Sequence, residues 1–241
     1  MSLPSKCIGA VSSISSVGTG VYRVDIRVAE RSTRFIPGQF LHLTLEAFDP
    51  SAGYWPESRV FSIASEPRQE LLTIVYSVKG KYTRRMEKEL YIGKEVWLKL
   101  PYGDFIVDEE RINDGPVVLV AGGTGVAPFW PFLKKKRSGD GVVHLFYGIR
   151  EPEHLLFGAD LVSLAEQPWA RLHLRVESGS LEGLDFVSGR LSVDDILSNV
   201  GKESTNANYY LSGPPGMIRL FREQLLERGI DSRRIHIDEW E

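Results

Sequence analysis

Val117-Val-Leu-Val-Ala-Gly-Gly-Thr-Gly-Val-Ala-Pro128 is the stretch on which the reading of the fold turns. Its apolar start, Val117–Ala121, has the continuous hydrophobicity of a strand covered on both faces. A glycine turn follows and feeds a helical stretch, Val126–Lys136, with Pro128 in the first turn, where a missing N–H costs little. Glycines at such a turn let the backbone approach a ligand. The helix start adds free N–H groups and a partial positive charge, which suits phosphate. The pattern is neither GxGxxG nor the GxxxxGK[ST] of phosphate-loop enzymes, which requires a lysine. A strand–helix joint with no ligand is the plain alternative.

Downstream, apolar strands alternate with helical stretches: Val142–Tyr147, a helix around Glu153–Ala165, Leu172–Val176, a helix near Val193–Leu197, and Tyr209–Leu211. The helix Met217–Arg228 carries Met217, Phe221 and Leu225 on one face and Gly229 as its C-cap, and Ile235–Ile237 is the last strand. This alternation predicts βαβ units and a parallel sheet. A second strand–turn–helix, Tyr210-Leu-Ser-Gly-Pro-Pro-Gly-Met217, offers close approach at Gly213 and a small donor/acceptor at Ser212. Two such turns in one parallel sheet point to its carboxyl edge, where open α/β folds bind ligands.

Upstream the rhythm has period two. Val21–Val28, Gln39–Leu45, Arg59–Ala64, Leu71–Val78 and Glu95–Leu100 are short strands rich in Val, Ile, Phe, Tyr and Thr, which predicts a closed antiparallel barrel. A helix over Tyr82–Leu90 interrupts them, with Met86 and Leu90 spaced i, i+4. In Arg59-Val-Phe-Ser62, alternation points Arg59 and Phe61 one way and Ser62 the other. A guanidinium suits a diphosphate, and an aromatic face stacks on a flat conjugated ring; an exposed arginine on a barrel strand is the bland alternative. Lys79-Gly-Lys-Tyr-Thr83 reads as a turn feeding backbone and Thr83 hydroxyl donors into a helix start. The domain boundary is expected near Glu110–Pro116, dividing the chain into 1–112 and 113–241.

The 29 basic and 32 acidic residues give a net charge of −3, which supplies no drive towards nucleic acid or an anionic membrane. No apolar run reaches the roughly 18 residues of a membrane helix, and no secretory signal is visible. A cytoplasmic location is expected, with the chain a monomer or weak dimer. The single cysteine, Cys7, excludes an intrachain disulfide and a cysteine-ligated iron–sulfur cluster. The five histidines are scattered outside any zinc-ligand spacing, so no metal is expected.

In this order, the segments resemble the ferredoxin–NADP reductase superfamily over essentially the whole chain, from Pro37-Gly-Gln-Phe40 to Trp240. The resemblance implies a six-stranded antiparallel flavin-binding barrel followed by a parallel-sheet nucleotide-binding domain. It implies that Arg59 binds the flavin diphosphate, Phe61 stacks on the isoalloxazine in place of the usual tyrosine, and Ser62 hydrogen-bonds near N5. Val60 and Tyr82 complete the cofactor-contacting set, and Gly80 with Thr83 resembles the FAD-binding rather than the FMN-binding branch. Gly122, Gly123, Thr124, Gly125, Ala127 and Pro128 match the nicotinamide-nucleotide turn. Gly213, Pro214 and Pro215 match a Cys-Gly-Pro-Pro turn, with Ser212 where cysteine is usual. Asp238 and Trp240 stand where glutamate and phenylalanine are usual in oxygenase-type reductases.

The implied activity is hydride transfer between NADH or NADPH and FAD N5, coupled to single-electron exchange with a separate carrier: ferredoxin, flavodoxin or an oxygenase component. Ser62, Ser212 and Asp238 are the implied catalytic set. The absent cysteine clusters mean that the acceptor's redox centre is expected on another molecule. A diaphorase or ferric/flavin reductase acting on small acceptors, and a non-catalytic module that retains FAD, are the competing readings. NADH is favoured over NADPH, because Leu174-Arg-Val-Glu-Ser-Gly179 offers Glu177 and Ser178 but no arginine beyond them. Arg150, after the preceding strand, is the residue that opposes this preference.

Overall fold

The computed structural model describes residues 3–29, 34–107, 114–135 and 141–238. Six strands form the first sheet: β1 Ser5–Ser16, β2 Val21–Arg27, β3 Phe40–Thr44, β4 Arg59–Ser62, β5 Leu71–Ser77 and β6 Glu95–Tyr102. Their order is β4-β3-β6-β1-β2-β5, every pairing antiparallel. The period-two pattern places Val24 and Ile26 of β2, and Leu41 and Leu43 of β3, in the core, while Asp25 and His42 turn away from it. The two edge strands approach each other beyond their ends. Ala64 N–H donates to Thr73 O at 2.8 Å, and Thr73 N–H donates to Ser65 Oγ at 3.1 Å, which nearly closes the barrel. Helix α1, Lys81–Glu89, presses Tyr82 and Met86 into the core, with Leu90 just beyond its end. The expected Met86/Leu90 stripe therefore extends one turn back to Tyr82.

The second sheet is β10-β9-β8-β7-β11-β12, parallel throughout. Its strands are β7 Val117–Gly122, β8 Val143–Ile149, β9 Ala170–Val176, β10 Phe186–Ser188, β11 Asn208–Ser212 and β12 Ile235–Ile237. β7 is buried along its whole length, as an interior strand covered on both faces must be. Helices α2 Trp130–Lys135, α3 Gly158–Ala165, α4 Val193–Val200 and α5 Pro215–Glu227 belong to the connections. β10 was not expected; three residues are too few to display a period. The expected helix from Val126 begins as a 3₁₀ turn over Gly123–Phe129 and becomes α-helical only at Trp130. On α5 the buried face is Ile218, Phe221 and Leu225, so Ile218 takes the place expected of Met217.

The chain divides into two compact units, Met1–Ile106 with Ala127–Lys135, and Val107–Val126 with Lys136–Glu241. The expected boundary at 112/113 lies outside the described residues. Among the described residues no helix is long and apolar enough to cross a membrane.

Candidate functional site

On the barrel, β4 and α1 bring the expected cofactor residues to one corner. Tyr82, buried in the first turn of α1, donates its hydroxyl to Leu43 O at 2.8 Å and accepts from Leu45 N–H at 3.2 Å, which fixes the helix start against β3. Burial pushes its phenol up to about 12, so the hydroxyl stays a donor. The Arg59 guanidinium lies over the Tyr82 ring, 5.0 Å from its centroid, and also reaches Glu57 at 3.3 Å. A cation is thereby set beside the first-turn N–H groups of α1, which a helix leaves without internal partners. Nothing lies within 4 Å of where a side chain at Gly80 would begin.

The Thr83 hydroxyl accepts from Lys79 N–H (3.0 Å) and Gly80 N–H (3.1 Å), which caps the start of the helix. Phe61, cross-strand from Leu41, is half-buried against the barrel core and meets Tyr76 edge-on at 6.2 Å. Val60 and Ser62 sit opposite His42 and Phe40, on the other face of the sheet. The sequence alternation is realised as expected.

In the second unit the two turns interlock at the carboxyl edge of neighbouring strands. β7 and β11 are paired through Ala121 and Ser212, and each runs directly into its turn. A Cβ at Gly125 would lie 2.5 Å from the Ser212 carbonyl carbon and 2.6 Å from Gly213 N, so backbone packs on backbone there. Gly122 is covered instead by the side chains of Pro214 and Met217. Gly123 differs: its φ of +54° is left-handed, and the space beside it is open. Thr124 is half-buried, and Ala127 and Pro128 lie buried in the 3₁₀ turn. Of the second turn, Gly213 and Pro215 are half-buried and Pro214 is exposed.

Ser212 and Asp238 form a buried pair on this edge. The Ser212 hydroxyl donates to Asp238 Oδ2 at 2.8 Å, and Asp238 N–H donates to Leu211 O at 2.9 Å. Only 8 % of Asp238 is exposed, and Oδ1 has no hydrogen-bond partner among the described residues. Burial raises the carboxyl to about 7, against the opposing pull of the Ser212 hydrogen bond. A buried carboxyl oxygen without a hydrogen-bond partner is costly. Trp240 lies outside the described residues.

At the ends of β8, β9 and β10 the expected Glu177, Ser178 and Arg150 meet a residue that sequence reading missed. Ser178 N–H donates to Arg150 O at 2.9 Å, holding the two ends together. Arg190, two residues past β10, reaches Glu177 at 2.9 Å. The missed signal was the strand: without β10 there was no reason to place Arg190 at this edge.

Residues 119–223 match the family model described as the oxidoreductase NAD-binding domain. The flavohemoprotein of Chromobacterium violaceum is 31 % identical over 221 residues, covering 85 % of this chain and 52 % of the relative. The reductase component of propane 2-monooxygenase from Rhodococcus jostii is 27 % identical over 216 residues, covering 86 % and 55 %. The chain thus spans about half the length of these curated relatives. Among solved structures, a ferredoxin NADP+ reductase from Neisseria gonorrhoeae with bound FAD and NADP superposes with a TM-score of 0.76 at 19 % identity, over 97 % of this chain and 98 % of that one.

Proposed function

Because residues 119–223 form an oxidoreductase NAD-binding domain within a chain that has the fold of a ferredoxin–NADP reductase, we propose that the protein is an FAD-dependent NAD(P)H oxidoreductase serving a separate one-electron carrier. The observation that carries this reading is the interlocked pair of glycine turns, with open space beside Gly123, next to a buried carboxylate with one oxygen unmet. FAD supplies the exchange between a two-electron hydride and single electrons; the remaining tasks fall to this chain.

Gly122–Gly125 present backbone to a nucleotide diphosphate, and Gly125 sets how deeply it sits. Ser212 and Asp238 orient the nicotinamide end. The unmet Asp238 Oδ1 suits an amide N–H donor, and the Ser212 hydroxyl fixes the carboxyl's rotation. On the barrel, Arg59 and the first turn of α1 hold the FAD diphosphate, while Phe61 offers an aromatic face and Ser62 a hydroxyl along the same strand. Thr83 serves FAD indirectly, by accepting from Lys79 and Gly80 N–H and so fixing the turn that leads into α1. A protein acceptor, rather than a small one, is supported by the reductase component among the relatives. A cytoplasmic setting belongs to the same proposal and is supported by the lone cysteine.

Anaerobic titration of the FAD-loaded protein with NADH and with NADPH tests the reading. Loss of the flavin's visible absorbance with at least one nucleotide is the expected result. Failure to retain FAD, or a flavin that neither nucleotide bleaches, overturns it. Comparing a plant-type ferredoxin with ferricyanide as oxidant then separates a carrier reductase from a diaphorase.

A further inference from the structure

β4, which carries Arg59, Phe61 and Ser62, is an edge strand: β3 pairs with it on one side, and β5 is the opposite edge of the same sheet. The two edges join at Ala64 and Thr73, beyond the end of β4. Along β4 itself a side-chain contact bridges them. Phe61 meets Tyr76 of β5 edge-on, with centroids 6.2 Å apart and planes at 61°. Tyr76 is 3 % exposed and stacks in turn on Tyr22, its register partner on β2, at 5.3 Å and 24°. The Tyr22 hydroxyl donates to Glu87 Oε1 at 2.9 Å. Glu87 belongs to α1, so three rings and one hydrogen bond run from β4 to the helix whose first turn carries Tyr82, beneath Arg59.

The chain of rings matters because of what Phe61 lacks. The ring torsion of a phenylalanine lies in a broad well, so its packing decides the plane of the ring. A tyrosine at this position could be anchored by its hydroxyl; a phenylalanine has none, and its neighbours must fix it. An edge-on pair with centroids about 4.5–7 Å apart is a favoured arrangement of two rings, and it holds both planes. Stacking on a flat conjugated ligand depends on that plane, because a ring turned away offers an edge instead of a face. Phe61 is half-buried, so one side of it packs on the barrel core while part stays accessible.

We propose that Tyr76 is a positioning residue for the flavin: from across the barrel seam it holds the Phe61 ring in the plane in which it stacks, and Tyr22, tied to Glu87 of α1, braces it from behind. The inference rests on the FAD-binding reading above, in which Phe61 offers its face to the isoalloxazine. Tyr76 acts through Phe61, so its effect on FAD exists only while the Phe61 ring is present.

A double-mutant cycle on FAD affinity, measured by titrating FAD into flavin-free protein, tests this without turnover. Tyr76→Leu keeps an apolar group in the core but removes the ring, and should weaken FAD by about tenfold. Tyr76→Phe keeps the ring and should bind within about twofold of the parent. In a Phe61→Ala background, Tyr76→Leu should change the affinity by less than about twofold, since the ring it served is gone. The visible circular dichroism of bound FAD reports the asymmetry around the isoalloxazine; it should change in Tyr76→Leu and return in Tyr76→Phe. Should Tyr76→Leu not fold, Tyr22→Leu loosens the same stack from its half-buried end, and its smaller loss should likewise vanish without the Phe61 ring. Parental FAD affinity in Tyr76→Leu, or an equal loss with and without Phe61, overturns the proposal and leaves the function intact. Parental affinity and dichroism in Phe61→Ala would remove Phe61 from the site and the proposal with it. A native protein that binds no FAD removes both the proposal and the function.

Discussion

Gly125→Ala puts the turn geometry to its most direct test. A methyl group there would stand 2.5–2.6 Å from backbone atoms of Ser212 and Gly213, where ordinary contact begins at 3.4 Å. The overlap is about 1 Å, and it falls on peptide atoms of a paired strand, not on a side chain that can swing aside. The two turns must separate by most of that distance. Overpacking of this kind costs about 1–3 kcal/mol. At about 2–4 °C per kcal/mol for a domain of this size, the second unit should lose several degrees of thermal stability. A misplacement of about 1 Å also costs on the order of 100-fold when it displaces a reacting group. Stopped-flow reduction of the FAD-loaded variant by NADH and by NADPH should therefore slow by about two orders of magnitude. Its flavin content should match the parent, because the barrel residues are untouched. A variant that melts with the parent and reduces within about twofold of its rate would show that the interlock is not what positions the nucleotide.

Three further outcomes follow from particular side chains. Arg59→Ala should weaken FAD by about 10- to 100-fold, the worth of one charge-assisted hydrogen bond of about 1.5–3 kcal/mol. Its exposed pairing with Glu57 adds nothing measurable to stability, so an unchanged FAD dissociation constant removes Arg59 from the site. Asp238, raised to about 7 from 3.8, keeps its proton better folded than unfolded, so the stability it contributes at low pH is lost as pH rises from about 4 to 7. Asp238→Asn should therefore stabilise the protein more at pH 8 than at pH 4 in paired denaturant titrations; an equal effect at both would refute the buried, proton-holding carboxyl. His144 Nδ1 and His173 Nε2 lie 3.2 Å apart, and desolvation together with the neighbouring imidazole lowers His173 to about 4. That depressed value makes its contribution full above pH 6.5 and lost as pH falls towards 4. Melting temperatures at pH 7.5 and 5.5 should converge in His173→Phe, which retains stacking on Phe146, and an acid loss equal to the parent's would argue against the pair.

Much of this architecture is local, and local chemistry is written in consecutive residues. VYRVDIR alternates because one face of β2 meets the barrel core and the other meets water, and the continuous run at β7 reflects a strand covered twice. The left-handed Gly123 and the Arg59/Phe61 face follow from residue type and period in the same way. Partnerships are another matter, because a period records which way a side chain points and not what it meets. Ser212 and Asp238 are 26 residues apart and become a pair only because β11 and β12 are neighbours in register. Glu177 reads as a free acid until β10, too short to announce itself, brings Arg190 across a gap of 13 residues. His144 and His173, scattered in the chain, face each other across adjacent parallel strands. That Thr83 caps its own turn, accepting from Lys79 and Gly80 N–H, likewise shows only once the turn has folded back. In each case the deciding quantity is a distance between strands or turns. That distance is set by the packing of the whole sheet, which no single segment of the chain encodes.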